Sequence, residues 1–589
     1  MKFFSRVKST LTSIGKSVKR FPVTVAISTL LAILLIYANE SQLTGNSRET
    51  LVKINLIVGL GIPLSLCIGL LIERFFSKDK LKSTLLYAIG IGFLVVYYLL
   101  FLKTIYGLVT ASRYFATMLF LILSFLYIPR MGRKNNYEYH LMDIWSNFAL
   151  TFVYSFVLYF GIAAIFFTID QLFDVNIQGK IYYYMFLMVS LIFAVALFLS
   201  KLPSINREYK EVEYTKALKI LLIYIVIPLI TIYTAILYVY FGKILLTKEW
   251  PRGLVSHLVL WYSTLSVGVI FLITPILEEN KVAKSFEFLF PKIILPILFM
   301  MFMSIYQRIN QYGITENRYY VVVLGLWVLG IMLYFSFQKP LRNIIIPISL
   351  SLIMLNSVYG PLSSFSISKY SQNKRLESLL ARNNMLSNGE IIRNSEIPLE
   401  DKREISNIIS YFSGNHELKD IKVLPRDFDL NKMDTVMGFK YEPYYPYPFE
   451  QNRYFYYGTH NAKDAIDIKG FDYYIHMNSW DENKRKVGEF TLQYNKLENI
   501  VIIAKDDKVF LEQDIMPFIK DIYEKQEAKL SNNDKNMLDY KDMTYEIGLI
   551  GIEVNMSLKF IFNEVNGRVD ENNNITVEGV DFILLIGNK

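Results

Sequence analysis

The stretch Ile344-Ile-Ile-Pro-Ile-Ser-Leu-Ser-Leu-Ile-Met-Leu-Asn-Ser-Val-Tyr359-Gly360-Pro361 is where the character of the chain changes. Before it the sequence is dominated by apolar runs. After it Lys369, Gln372, Asn373, Lys374 and Arg375 follow within fifteen residues. An α-helix needs about 20 apolar residues to cross roughly 30 Å of hydrocarbon. Working back towards the N-terminus, such runs recur at 21–38, 51–72, 83–102, 113–128, 145–169, 181–200, 217–241, 254–277, 291–307, 319–337 and 344–359. The fourth and the last are short, which suits a tilted or partly re-entrant segment. The 589 residues are 53% hydrophobic with a mean hydropathy of +0.29, too apolar for an ordinary soluble globule. The expected fold is therefore an α-helical polytopic membrane bundle of about 11 transmembrane helices over 21–360. An extracytoplasmic α+β domain with an antiparallel sheet is expected over 361–589.

Charge sets the expected orientation. Lys and Arg gather in cytoplasmic loops. The loops on the side of residues 1–20 carry 23 of them, and the loops on the other side carry 10. This places the N-terminus inside and, after eleven spans, the tail outside. Residues 1–360 hold 33 basic and 16 acidic groups, net +17, whereas 361–589 hold 29 and 37, net −8. The basic balance thus belongs to the membrane half, and no nucleic-acid partner is expected, since an acidic tail repels phosphates. Within 1–20, Phe4, Val7, Leu11, Ile14 and Val18 recur at helical spacing between basic residues. That pattern suits a helix lying on anionic headgroups, or a basic tail that only sets topology. Ile36-Tyr37-Ala38-Asn39 lacks a signal-peptidase site, so the first helix is read as uncleaved. Cys67 is the single cysteine and sits in the second span. It excludes an internal disulfide and a thiolate metal cage.

Acidic groups fall at span ends and not at mid-helix, which argues against a proton-coupled carrier. Pro63, Pro228, Pro275 and Pro296 interrupt spans, either kinking helices around a cavity or absorbed by packing. Polar residues gather at the outer ends. Asp170 and Asp174 form one group, and Lys243 to Arg252 and His257 form another. The third is the loop Arg308-Ile-Asn-Gln-Tyr312-Gly313-Ile-Thr315-Glu316-Asn-Arg318. Gly313 suits a helix stop, and Thr315 suits an N-cap with Glu316 in the first turn. The loop is then a tight helical hairpin with two arginines and a glutamate at its tip. Arg308, Tyr312, Glu316 and Arg318, with Asp170, Arg252 and His257, are the candidate outer-face binding residues. The arginines bind an anionic lipid headgroup, or one of them pairs with Glu316 and locks the hairpin.

The run Tyr306-Gln307-Arg308-Ile309, then Tyr312 to Tyr320 and Leu324-Gly325-Leu326-Trp327, resembles an uncharacterised bacterial multi-pass family, domain of unknown function 4153. So do Ile227-Pro228-Leu229 with Trp250-Pro251, Gly360-Pro361-Leu362-Ser363 with Ser371-Gln372 and Arg375-Leu376, and Ile468-Lys469-Gly470-Phe471-Asp472. The resemblance covers most of the chain. It implies a bacterial cytoplasmic (inner) membrane protein and brings no activity and no catalytic residue.

In the tail, 366–386 reads as a helix, and a second begins at Pro398 and ends at Ser413-Gly414. Strands are expected at 471–477, 489–494, 500–504 and 558–562, with a helix near 512–526. Ile466 to His476 weakly repeats in Ile575 to Leu585, each with a Gly and an Asp at matching places. Turn formation explains these aspartates, since one carboxylate per turn is thin for calcium. The segment Tyr441 to Tyr457 holds nine aromatic residues and three prolines in seventeen positions. Its Tyr444, Tyr445 and Tyr447 dock on the membrane half, bind a ligand or partner, or simply pack.

No Walker-type loop, His-Glu-x-x-His or Gly-x-Ser-x-Gly occurs, and the five histidines are scattered, so no catalytic residue, metal or cofactor is assigned. Three readings remain. The first is an envelope scaffold or sensor whose external tail binds a protein partner or an envelope polymer. The second is a transporter or lipid-handling permease with an external cap. The third is a membrane enzyme acting on a lipid-linked substrate at the outer face, with Glu316 or Asp170 as base.

Overall fold

The computed structural model describes residues 15, 17–41, 43–103, 105, 107–133, 136–173, 175, 177–209, 214–247, 254–441, 453–459, 466–479, 484–505, 508–528, 537–550, 555–570 and 574–588. Most of the basic segment 1–20 lies outside them. Among these residues ten helices are long and apolar enough to cross a membrane. They are α1 Pro22–Glu40, α2 Gly45–Phe76, α3 Lys80–Phe101, α4 Leu108–Arg130, α5 Tyr137–Phe173, α6 Gly179–Lys201, α7 Lys216–Thr247, α8 Ser256–Ile276, α9 Lys281–Tyr312 and α10 Glu316–Phe337. The fourth run, expected to be short, is a full 23-residue helix. Its polar start, Leu108-Val-Thr-Ala-Ser-Arg113, hides it from a hydropathy window.

The eleventh run forms the shorter helix α11, Ile345–Asn356. Twelve residues give about 18 Å, less than a hydrocarbon core. Its flanks nevertheless reach opposite faces. On one side Asn343 Nδ2 donates to Glu138 Oε1 (2.6 Å), where α5 begins, and to Thr274 Oγ1 (2.9 Å), where α8 ends. On the other, Arg113 at the start of α4 donates to Val358 O (3.3 Å), and Tyr319 at the start of α10 donates to Leu362 O (2.6 Å). The chain after Tyr359 therefore leaves from the face that carries the α3–α4 and α9–α10 loops.

Local sequence explains the helix ends. Asp79 accepts from the Lys82 amide (3.1 Å) to start α3, and Asn280 accepts from Val282 (2.9 Å) and Ala283 (3.0 Å) to start α9. Inside the bundle the prolines are absorbed differently. Pro63, Pro291 and Pro296 sit within helices. Pro228 follows a π-helical turn, Leu221–Val226, whose wider winding relieves the clash of its ring with the preceding carbonyls. The best-packed part of the membrane half is α8 to α10, where Ile270, Ile273, Ile294, Ile297, Leu298 and Val328 are wholly buried. Helix α5 is its opposite, with Phe148, Phe152, Phe156 and Phe160 all exposed.

The chain divides into two compact units, Met1–Tyr444 and Tyr445–Lys589. The compositional break at Gly360 is thus not a break in packing. Helices α12, Ser364–Arg382, and α13, Leu399–Asn415, belong to the first unit. They bury Leu376, Leu380, Ile405, Ile409 and Phe412 against one another. Pro398 takes the N-cap of α13, one position before the expected first turn.

The second unit is built from antiparallel sheets. One has the order β4-β12-β11-β3-β9, with β10 also pairing β11; the other has the order β5-β6-β7-β8. Counting from a short antiparallel pair in the first unit, β1 Leu386–Ser387 and β2 Glu390–Ile391, the strands here are β3 Arg453–Thr459, β4 Tyr473–Asn478, β5 Arg485–Val487, β6 Phe490–Asn495, β7 Ile500–Lys505, β8 Lys508–Asp514, β9 Met537–Leu538, β10 Thr544–Ile550, β11 Asn555–Val569 and β12 Ile575–Asn588. One short pairing, β3 with β9, is parallel. A helix, Met516–Ala528, buries Ile519 and Ile522 in the same core as Phe560, Phe562 and Phe582. The weak repeat turns out to be two neighbouring strands, because β4 pairs directly with β12. Gly470 makes a turn at φ +86°, whereas Gly579 sits beside a bulge in the β11–β12 ladder. Asp581 accepts from His476 Nε2 (2.8 Å) and Asn563 Nδ2 (2.7 Å).

Candidate functional site

The α9–α10 hairpin is where the sequence candidates converge. Helix α9 stops at Gly313, with φ +69° and ψ 178° and its amide donating to Ile309 O (2.8 Å). Thr315 occupies the N-cap of α10 but its side chain makes no capping bond. The tip is held from outside the hairpin by α12. Ser371 Oγ accepts from the Ile314 amide (2.8 Å), and Gln372 Nε2 donates to the Tyr312 and Ile314 carbonyls (3.1 Å each). Helix α12 thus satisfies backbone groups that a two-helix turn leaves open.

Glu316 is buried, and among the described residues no arginine pairs with it. Its carboxylate accepts from Ser368 Oγ (2.7 Å), from the Tyr411 hydroxyl (2.8 and 2.7 Å) and from His416 Nε2 (2.7 Å). The Tyr411 hydroxyl is also 3.0 Å from His416 Nε2. The histidine ring is enclosed by Phe365, Tyr411 and Phe412. Burial, more than the nearby carboxylate, raises the Tyr411 phenol above its ordinary range, so it stays protonated and donates. A buried carboxylate persists when every lone pair is met. Both readings of Glu316 as an arginine partner or a free base are displaced by this network.

Two arginines, Arg318 and Arg375, gather on Tyr312 instead. Arg318 Nη1 donates to Tyr312 O (3.2 Å) and Gly313 O (2.8 Å), and its guanidinium lies 5.4 Å from the Tyr312 ring centre. Arg375, on α12, lies 5.8 Å from the same ring and pairs with Glu404 (2.9 Å). Among the described residues Arg308 has no hydrogen-bond or ion-pair partner. The result is a half-buried cationic patch around one aromatic ring, and among the described residues Glu404 is the one carboxylate paired with it. Guanidinium groups of this kind offer charge-assisted donors suited to an anion. Arg375 was not among the sequence candidates. Its signal was present, because Ser371-Gln372 and Arg375-Leu376 stood among the motifs of the family resemblance.

The other candidates lie elsewhere. Asp170 accepts from the Ile177 amide (2.6 Å) and Gln171 Nε2 (3.3 Å), tying its own loop. His257 is half-buried on α8. Among the described residues no hydrogen bond or ion pair joins either to the hairpin. Arg252, Tyr444, Tyr445 and Tyr447 lie outside the described residues.

A second feature is a cavity of about 1060 Å³ in the membrane half, walled by α1, α2, α4, α5 and α6. Its lining is almost wholly apolar and aromatic, including Met118, Phe152 and Phe198. Pro63 is on its wall, as is the π-helical turn Met188–Phe193.

An uncharacterized protein of Pasteurella multocida (strain Pm70), PM1469, is 21% identical over 484 residues, 77% of this chain and 82% of that relative. No solved structure matches the chain. The domain of unknown function DUF4153 matches residues 25–389, which takes in the membrane helices, the Tyr312 patch and the α12 clamp. By that match, the chain, with ten helices long and apolar enough to cross a membrane among its described residues, belongs to the DUF4153 family.

Proposed function

We propose that this protein is a scaffold or sensor of the bacterial envelope. It is set in the cytoplasmic membrane with its N-terminus inside and residues 361–589 outside. The loop-charge asymmetry supports that orientation. The observation that carries the reading is the clamp. Helices α12 and α13 are fastened to two membrane helices through Ser371, Gln372 and the buried Glu316 network. A joint of this kind passes a displacement from the tail to the α9–α10 hairpin, which a flexible tether does not. The partner is an envelope polymer or a protein met through residues 361–589, with an anionic group at the Tyr312 patch. The test is photo-crosslinking in living cells from two exposed positions, Leu497 and Tyr474. A discrete adduct that disappears on Gln372→Ala, without loss of protein, supports a coupled scaffold. Absence of any adduct from both positions overturns it.

A second reading, a lipid-handling permease, is favoured by the apolar cavity. A path for polar solutes gains no support from a wall of aromatic and aliphatic side chains. An enzyme with Glu316 or Asp170 as base gains none either, because each carboxylate already accepts hydrogen bonds from its own surroundings.

A further inference from the structure

The cavity in the membrane half has two polar features that its apolar wall does not explain. The first is Ser155 on α5. Serine and threonine in membrane helices return the hydroxyl to the carbonyl four residues back. Thr151 does so to Asn147 (2.7 Å), Thr168 to Ala164 (2.8 Å) and Ser190 to Phe186 (2.7 Å). Ser155 does not. Its hydroxyl is buried on the cavity wall without a hydrogen-bond partner. An unmet donor in hydrocarbon is costly and calls for an acceptor.

The second is Lys201, the last residue of α6 and two positions beyond the lining residue Leu199. Its ammonium lies 4.7 Å from the ring centre of Tyr154, next in sequence to Ser155. Two other cations on that membrane face pair with carboxylates, Arg20 with Glu73 (2.8 Å) and Arg207 with Asp143 (2.7 Å). Among the described residues Lys201 has no carboxylate partner. A cation thus rests on Tyr154, and the next residue, Ser155, carries an unmet hydroxyl on the wall of a space for hydrocarbon. The volume, about 1060 Å³, lies just above the roughly 300–1,000 Å³ of small-ligand pockets. The wall includes the π-helical turn Met188–Phe193, and Ser28 donates to its Leu191 carbonyl. Such turns are rare and recur at functional sites.

We infer that this cavity holds the acyl chains of an acidic glycerophospholipid, with the headgroup phosphate at Lys201 and the Ser155 hydroxyl donating to a glycerol ester carbonyl. The apolar wall takes the chains, the ammonium takes the phosphate, and the otherwise orphaned hydroxyl takes the ester. This concerns what occupies the cavity and does not rest on the scaffold reading.

The test uses the full-length protein in phosphatidylcholine nanodiscs. Trp145 lies on the cavity wall. The difference in fluorescence between the wild type and Trp145→Phe isolates it from the other four tryptophans. Acyl-brominated phosphatidylglycerol should quench Trp145 at a mole fraction about fivefold lower than brominated phosphatidylcholine, the factor one lysine contributes at an acidic surface. Lys201→Gln should erase that preference. Ala194→Phe, which fills the cavity, should reduce quenching by both lipids. Ser155→Val should weaken the glycerolipid, and Ser155→Thr should restore it. Unchanged unfolding midpoints show that the variants are folded. Equal quenching by the two lipids in the wild type, quenching by neither, or a preference that survives Lys201→Gln each overturns the inference.

Discussion

Gly313→Ala should unlock the tail from the membrane hairpin. At φ +69° and ψ 178° this residue occupies a backbone region that is almost closed to residues with a Cβ, at a cost of about 1–3 kcal/mol. An added Cβ would also lie 2.8 Å from Gln372 Nε2 and 3.2 Å from Ser371 Oγ. The glutamine must withdraw and lose its bonds to the Tyr312 and Ile314 carbonyls, at about 0.5–1.5 kcal/mol each. Alanine restricts the unfolded chain and returns about 0.4–1 kcal/mol. The net is about 3 kcal/mol, or roughly a hundredfold in the opening equilibrium of the clamp. Hydrogen exchange over residues 364–415 of the full-length protein reads this directly. Exchange there should speed up about a hundredfold, while α8 and the core of α9 stay protected. Gly92→Ala is the control, because it meets nothing within 4 Å and substitutes alanine for glycine within a helix. If Gly313→Ala exchanges like the wild type, the claim that Ser371 and Gln372 hold the hairpin tip is wrong.

Glu316→Gln should present an amide to three donors, Ser368, Tyr411 and His416, at a cost of about 2–3 kcal/mol; faster limited proteolysis between residues 383 and 398 would show it. Arg308→Ala should leave thermal stability within about 0.5 kcal/mol and weaken capture of anionic vesicles by nanodisc-held protein. Arg318→Ala should also cost about 1–2 kcal/mol, since two carbonyls lose a donor. Phe562→Ala, at a wholly buried position in the second unit, should cost about 3–5 kcal/mol, read as exchange across β11 and β12. Asp521 is held below the ordinary carboxylate range by Lys525 and then by the Tyr545 hydroxyl. The depressed value means its stabilising effect is present above the unfolded pKa of about 4 and is lost as pH falls through the folded value. Exchange in the Met516–Ala528 helix should rise over that window, and Asp521→Asn should remove that part of the dependence.

Much of the fold was legible because its signals are local. A membrane helix is marked by twenty consecutive apolar residues, and every such run in the first 337 residues is a helix. The tail helices showed in the 3.6-residue spacing of Leu376, Leu380, Ile405, Ile409 and Phe412. The strands showed in β-branched and aromatic runs such as Ile500-Val-Ile-Ile-Ala504. The polar start of α4 concealed its length. The boundary at Gly360 misled because composition reports what a residue prefers to touch and not what it touches. Helix α12 is polar overall, yet it buries Ser368, Gln372 and Asn373 against backbone groups and side chains that needed donors and acceptors.

The sequence by itself determined the class of the protein: a multi-pass helical membrane half followed by antiparallel sheets. Burial of apolar surface and satisfaction of the backbone inside hydrocarbon leave no other solution for such runs. Only the tertiary structure decided the pairings. It took Glu316 away from the arginines, brought Arg375 from 57 positions downstream of Arg318 to the same tyrosine ring, and set Lys201 on Tyr154, next in sequence to the cavity-wall Ser155. Polar partners are chosen by geometry at about 3 Å. Separation along the chain carries no information about that distance once the helices have packed.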